Sequence, residues 1–262
     1  MTRLFEDPPA AISHPAHPEH DLNLVTTSTG AGAGPFRCDG CMQPGEGPSW
    51  YRCEPCNYDL HTCCALPSPT LEHAMFKGRT FVFHHEHPSP ACGRFCDACG
   101  DDVVAGGFAY HCRDRDLDLH PCCALLEPSF VHDGRAFELR RDASGRCGMC
   151  SRADGRRRRK FWSYVVYEDG KAVYLHVACL KDAHARRGRS IGGGRQILVE
   201  ANNSPITEGV LQSLPRSTRR SGGFDKFRRI VGVVVSVIIA VIFGNPLALV
   251  SAVAGPGGLL RG

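Results

Sequence analysis

The residues of this 262-residue chain best suited to chemistry are thiols and imidazoles set at repeated intervals. Cys38 and Cys41 are followed by Cys53 and Cys56, then by His61 and Cys64, and nine residues later by His73. The order returns as Cys96 and Cys99, Cys112, His120 and Cys123, and His132, with Arg115 standing where the first copy has Cys56. A reduced third copy keeps Cys147, Cys150, His176 and Cys179. Two thiolates on a tight C-x-x-C turn can share a tetrahedral ion with an imidazole and a further thiolate, which is the donor set zinc prefers. The fifteen cysteines are an odd number, and the opening MTRLFEDPPAAISHP lacks the apolar core and cleavage pattern of a secretory signal. A disulfide framework is therefore the weaker reading, and zinc in a reducing compartment the stronger.

Two interleaved sites are expected in the first copy. One ion takes Cys38, Cys41, His61 and Cys64; the other takes Cys53 and Cys56, with His73 after the module and an upstream histidine before it. His20 is the first choice because it directly precedes the alternating DLNLV, with His14 and His17 as alternatives. In the second copy Cys96, Cys99, His120 and Cys123 form one full set. Its other site retains Cys112, His132 and an upstream histidine, His85 first, with His84 and His87 as alternatives. A guanidinium cannot replace a donor beside a dication, so that site is either rescued by Asp114, Asp116 or His111 or carries no metal. The third copy offers Cys147, Cys150, His176 and Cys179, giving about four zinc ions in all. Cys63, Cys122 and Cys92 fall outside these sets, and Cys63 and Cys122 read as buried small apolar residues.

Each copy has too few aliphatic residues to fold on burial alone, since domains of about 50 residues hide only about 60% of their surface. Metal binding then becomes folding energy. Around the ligands, FVF from Phe81, FELR from Phe137 and WSYVVY from Trp162 read as short strands that supply a minimal core. The expected fold class is a small zinc-stabilised α+β module, with short antiparallel strands and a short helix, in tandem repeats, followed by a C-terminal hydrophobic helical segment. Expected boundaries are a disordered N-terminus over 1–13, modules over 14–73, 74–132 and 133–186, a Gly/Ser/Arg-rich linker over 187–223, and a hydrophobic segment over 224–262.

The pattern FRCDGC followed by WYRCEPCNYDLHTCCALP resembles the plant cysteine/histidine-rich divergent C-one (DC-one) zinc domain, a relative of the diacylglycerol-binding module of protein kinase C. The resemblance covers residues 14 to about 184. It implies a small β-rich fold with a short helix, two interleaved zincs per complete copy, and roles in intracellular signalling or stress responses. The loop MQPGEGPSWY keeps Gly47 and Trp50 but lacks the Gln-Gly pair of the lipid-binding relatives, so Trp50 is expected to pack against the zinc turn.

No general base, substrate cleft or supporting shell is legible, so no enzyme activity is expected. The net charge of +4 is mild, and the run RRRRK from Arg156 reads first as a solvated loop. A phosphate-binding role, toward nucleic acid or anionic lipid, is the rival to a protein-interaction adaptor. Residues 230–253 contain no charged side chain, long enough to span a bilayer but broken at Gly244-Asn245-Pro246. Three arrangements compete for this segment: a kinked membrane anchor, a helix on a partner or interface, and a self-association segment. Arg219, Arg220, Lys226, Arg228 and Arg229 precede it and only Arg261 follows, so an anchored chain would face the cytosol. The expectation is a non-enzymatic zinc scaffold that engages protein partners and is tethered at an intracellular membrane.

Overall fold

A computed structural model describes residues 8–26, 36–45, 49–87, 93–132, 135–141, 145–151, 161–168 and 170–182. The expected linker, the run RRRRK, Cys92 and the apolar segment over 230–253 lie outside the described residues. Among the described residues no helix is long and apolar enough to cross a membrane. The chain divides into two compact units, one reaching Leu126 and the other starting at Glu127.

Each repeat is an antiparallel meander of four strands, the arrangement that short alternating segments joined by tight turns favour. In the first, β1 (Ala11–His14), β2 (His17–Thr26), β5 (Ser49–Cys53) and β6 (Tyr58–His61) lie side by side, with a separate ribbon of β3 (Phe36–Arg37) and β4 (Pro44–Gly45). In the second, β7 (Thr70–Glu72), β8 (Thr80–His84), β9 (Ala109–Cys112) and β10 (Leu117–Leu119) follow the same order. The third sheet comprises β11 (Ser129–His132), β12 (Arg135–Arg140), β13 (Ser163–Glu168) and β14 (Lys171–His176). The strands Thr70–Glu72 and Ser129–His132 thus open the following sheets, whereas the sequence spacing assigns them to the ends of the preceding modules. His73 and His132 each belong to the start of the next repeat.

Short helices follow two of the sheets. α1 (Thr62–Ala65) begins after His61, and α2 (Pro121–Ala124) begins after His120 with Pro121 in its first turn, where a missing N–H costs nothing. In the third repeat residues 177–182 are helical at the same point. Each core is small and centred on one tyrosine: Tyr51, Tyr110 and Tyr164 are all at most 2% exposed. Their hydroxyls donate to Pro9 O, Ser68 O and Glu127 O at 2.7, 2.9 and 2.8 Å, which ties the entry of each repeat to its third strand. Leu22 and Leu60 complete the first core, Phe81 and Leu119 the second, and Phe137 and Leu175 the third.

Within the first unit the two repeats pack on each other. Phe108 N–H donates to Gly40 O at 2.8 Å, and the Phe108 ring stacks on His14 with centroids 5.7 Å apart. A Cβ on Gly40 would fall 2.5 Å from the Phe108 ring, so only glycine admits this approach.

Candidate metal centres

The C-x-x-C turns are built alike. Cys38 O accepts from Met42 N–H, Cys96 O from Gly100 N–H, and Cys147 O from Ser151 N–H, at 2.9, 2.8 and 2.8 Å. The last residue of each turn is left-handed, with φ of 58° at Met42, 77° at Gly100 and 59° at Ser151. This turn aims both sulfurs to one side. Asp39 N–H donates to Asp59 O, and the Asp39 carboxylate accepts from Asp59 N–H at 2.7 Å, fastening the turn to β6; Asp97 and Asp118 repeat the clasp at 2.8 Å.

The H-x-x-C pair arrives from the other side. His61 caps α1 and Cys64 lies three residues on, a spacing that stacks side chains on one helix face. Cys38, Cys41, His61 and Cys64 converge so that their ligand atoms lie within 4.8 Å of one another, and so do Cys96, Cys99, His120 and Cys123. Both quartets are fully buried. Cys147, Cys150, His176 and Cys179 form the third, with Cys150 exposed. These are the sets expected from the sequence.

Distances within the quartets suit a shared tetrahedral ion. Ligands at about 2.3 Å (sulfur) and about 2.0 Å (nitrogen) from zinc sit about 3.5 Å apart. His61 Nδ1 is 3.4 Å from Cys41 Sγ and 3.9 Å from Cys64 Sγ; His120 Nδ1 is 3.4 Å from Cys99 Sγ; His176 Nδ1 is 3.4 Å from Cys150 Sγ and 3.6 Å from Cys179 Sγ. The opposite nitrogen is held by the backbone: His61 Nε2 donates to Pro44 O at 3.2 Å and His120 Nε2 to Asp102 O at 3.3 Å. Fixing one nitrogen as a donor leaves the other free to ligate. Burial disfavours a protonated His61, yet the surrounding Cys122, Cys38 and Cys41 sulfurs outweigh it and hold its pKa well above the ordinary imidazole value. Cys96 and Cys99 do the same to His120. The sulfurs around these two imidazoles thus favour a positive charge at both buried centres.

The fourth quartet corrects the sequence reading. His17, His20, Cys53 and Cys56 come together, with His20 Nδ1 3.3 Å from Cys56 Sγ. His17 thus takes the place assigned to His73. Its buried Nε2 has no hydrogen-bond partner, an orphan that a metal would satisfy. His73 instead has both nitrogens engaged, Nδ1 accepting from Met75 N–H at 3.2 Å and Nε2 donating to Leu126 O at 3.1 Å. His14 shows the same local turn, its Nδ1 accepting from Ala16 N–H at 3.2 Å, although its buried Nε2 has no hydrogen-bond partner where that of His73 has Leu126 O. Burial lowers the pKa of both.

Superposed registers explain the degenerate site. Leu24 pairs with Tyr51 as Phe83 pairs with Tyr110, an offset of 59 residues. At that offset Phe76 answers to His17, Arg79 to His20 and Arg115 to Cys56, leaving Cys112 alone of the quartet. Phe76 is buried against Phe81, and Arg79 forms an ion pair with Asp114 at 3.0 Å across the loop that zinc would otherwise clamp. An apolar plug and a surface ion pair have replaced a metal. His85 lies among Phe83, Phe108 and His14 rather than beside Cys112, and His84 faces His111. Asp116 pairs with Arg94 at 2.6 Å. His87 and His111 both donate to Asp118, at 2.6 and 2.9 Å. The side chain of His132 lies outside what is described. The fixed offset was the signal that could have placed all three substitutions.

Trp50 packs inward. It is 7% exposed, donates from Nε1 to Asp59 at 2.9 Å, and stacks on Phe36, which leans against the ligand His61.

Four quartets that share no residue fit Zn2+ by donor type and spacing, and two of them are fully buried. A family model described as C1 domain matches residues 15–65, the first repeat. Probable nucleoredoxin 1 of Arabidopsis thaliana is 36% identical over 70 residues, a match covering 26% of this chain and 11% of that relative. No solved structure matches significantly. A C1-type zinc-binding module is therefore present at residues 15–65.

Proposed function

We propose that the chain is a non-enzymatic adaptor whose three repeats are divergent C-one modules, with zinc as the structural core of each and the sheet surfaces as the docking elements for protein partners. The observation that carries this reading is the make-up of the quartets: each offers four protein donors, the number that fills a tetrahedral zinc. A zinc so enclosed holds a shape and does not polarise a substrate. The inward packing of Trp50 argues against lipid as the ligand of the first module.

The test uses the full chain, zinc-loaded, against a Cys96→Ser variant that loses the buried quartet of the second repeat. The variant is expected to bind one zinc fewer by elemental analysis and to lose partners cross-linked to the wild type in cells. An unchanged set of cross-linked partners would remove the second module from the interaction. Turnover of any substrate that disappears with Cys96→Ser would replace the adaptor with an enzyme.

A further inference from the structure

Two buried thiols remain outside the zinc quartets, and they meet. Cys63 on α1 and Cys122 on α2 are 4% and 3% exposed, and their sulfurs lie 2.8 Å apart across the packed pair of helices. They occupy equivalent places, each directly before a ligand, Cys64 and Cys123. Because neighbouring residues on a helical turn point in different directions, a ligand aimed at its own zinc leaves the preceding thiol directed at the other module.

We propose that Cys63 and Cys122 are a peroxide-responsive dithiol whose oxidation joins the first and second repeats by a disulfide while the zinc quartets stay intact. Sulfurs bound to one tetrahedral zinc are about 3.8 Å apart, so 2.8 Å is not the spacing of two ligands on a common ion. It is the approach of a pair still longer than the roughly 2.05 Å of a disulfide. His61 and Cys64 also lie within reach of the pair, so that the four could hold an ion between them, but both residues complete the quartet with Cys38 and Cys41, where His61 Nδ1 is 3.4 Å from Cys41 Sγ. The third repeat has Ala178 at this position and keeps its own quartet, so the position is not needed to hold zinc.

Burial selects the oxidant, since hydrogen peroxide is small and uncharged where a peptide disulfide is neither. One thiol loses its proton and attacks a peroxide oxygen; the O–O bond breaks, giving a sulfenic acid and hydroxide, which takes up that proton as water. The second thiol, losing its proton, attacks the sulfenic sulfur and expels hydroxide, which leaves as the second water. The two sulfurs lose two electrons together and one peroxide is reduced to two waters. The bond bridges residues 59 apart and would hold the two repeats together after the metal is removed.

The experiment treats the zinc-loaded full chain with one equivalent of hydrogen peroxide, blocks remaining thiols with a maleimide under denaturing conditions, and maps the digest by mass spectrometry. The expected result is a Cys63–Cys122 cross-link with no zinc released to a chromogenic chelator. Cross-links from either residue to Cys41 or Cys64, zinc release in step with oxidation, or both thiols recovered as maleimide adducts would each overturn the proposal. Cys63→Ala and Cys122→Ala, which copy the alanine that the third repeat carries at residue 178, should lose the cross-link and keep the zinc content of the wild type. Loss of one zinc in Cys63→Ala would instead make Cys63 a ligand and sink the dithiol.

Discussion

His17 and His73 differ in what their ring nitrogens meet, and that difference sets opposite outcomes for their removal. His17→Ala leaves a C-x-x-C pair and one imidazole, so the protein should bind one zinc fewer by elemental analysis. His73→Gln should leave zinc content unchanged and cost about 1–3 kcal/mol in chemical denaturation, since the part-buried Met75 N–H and the buried Leu126 O lose the imidazole that joins them. Acid separates them further. The His73 pKa is lowered by burial, so the folded protein binds fewer protons there than the unfolded chain. That stability is complete above the unfolded value and is lost as pH falls through about 6.5 toward the folded pKa. With zinc held saturating, denaturation between about pH 7.5 and 6 should be steeper for the wild type than for His73→Gln. A slope that is the same in both would show that His73 titrates alike in the folded and unfolded chain.

At the scale of the element, the C-x-x-C turn demands a left-handed last residue and tolerates an L side chain there only at a cost. Gly100→Ala should therefore lose about 1 kcal/mol, and Ser151→Gly should gain a comparable amount, both read by thermal denaturation with zinc content unchanged. The strands show where sequence reading succeeded and where it stopped. FVF, FELR and the segment after Trp162 were legible as strands because β-branched and aromatic residues cluster between turn signals, and all three lie in β8, β12 and β13. Three of the quartets were legible because C-x-x-C and H-x-x-C each close within one turn. The fourth was misread at one ligand, His73 for His17, because both its histidines come from β2, which is joined to the cysteine loop only through the register of β2 on β5. A spacing shared by His73 and His132 proves that they are equivalent, not which repeat they serve. The same register makes a constructive test. Arg115→Cys alone should bind no additional zinc, whereas the triple change Phe76→His, Arg79→His and Arg115→Cys rebuilds the first repeat's quartet around Cys112 and should raise the zinc count by one.

At the scale of the whole molecule, each repeat is too small to rest on its apolar core alone, and the first two gain further burial by packing on each other. Gly40 isolates that contribution from metal binding. The equivalent turn position in the second repeat is Ala98, fully buried between Cys96 and Cys99, so a methyl group there is compatible with the turn and with the quartet. In the first repeat the same methyl would meet the Phe108 ring at 2.5 Å, a distance no real Cβ contact sustains, and Phe108 is itself only 3% exposed. The ring must move, and with it the stack on His14 and the Phe108 N–H bond to Gly40 O. Gly40→Ala is therefore expected to keep its full zinc content while losing about 1–3 kcal/mol of stability, the usual cost of overpacking a filled contact. A pairing of Gly40→Ala with Phe108→Leu, which shortens the ring, should recover part of the loss. If Gly40→Ala instead lowers the zinc count, the glycine serves the turn and not the contact between repeats, and the two modules are held side by side by something other than this approach.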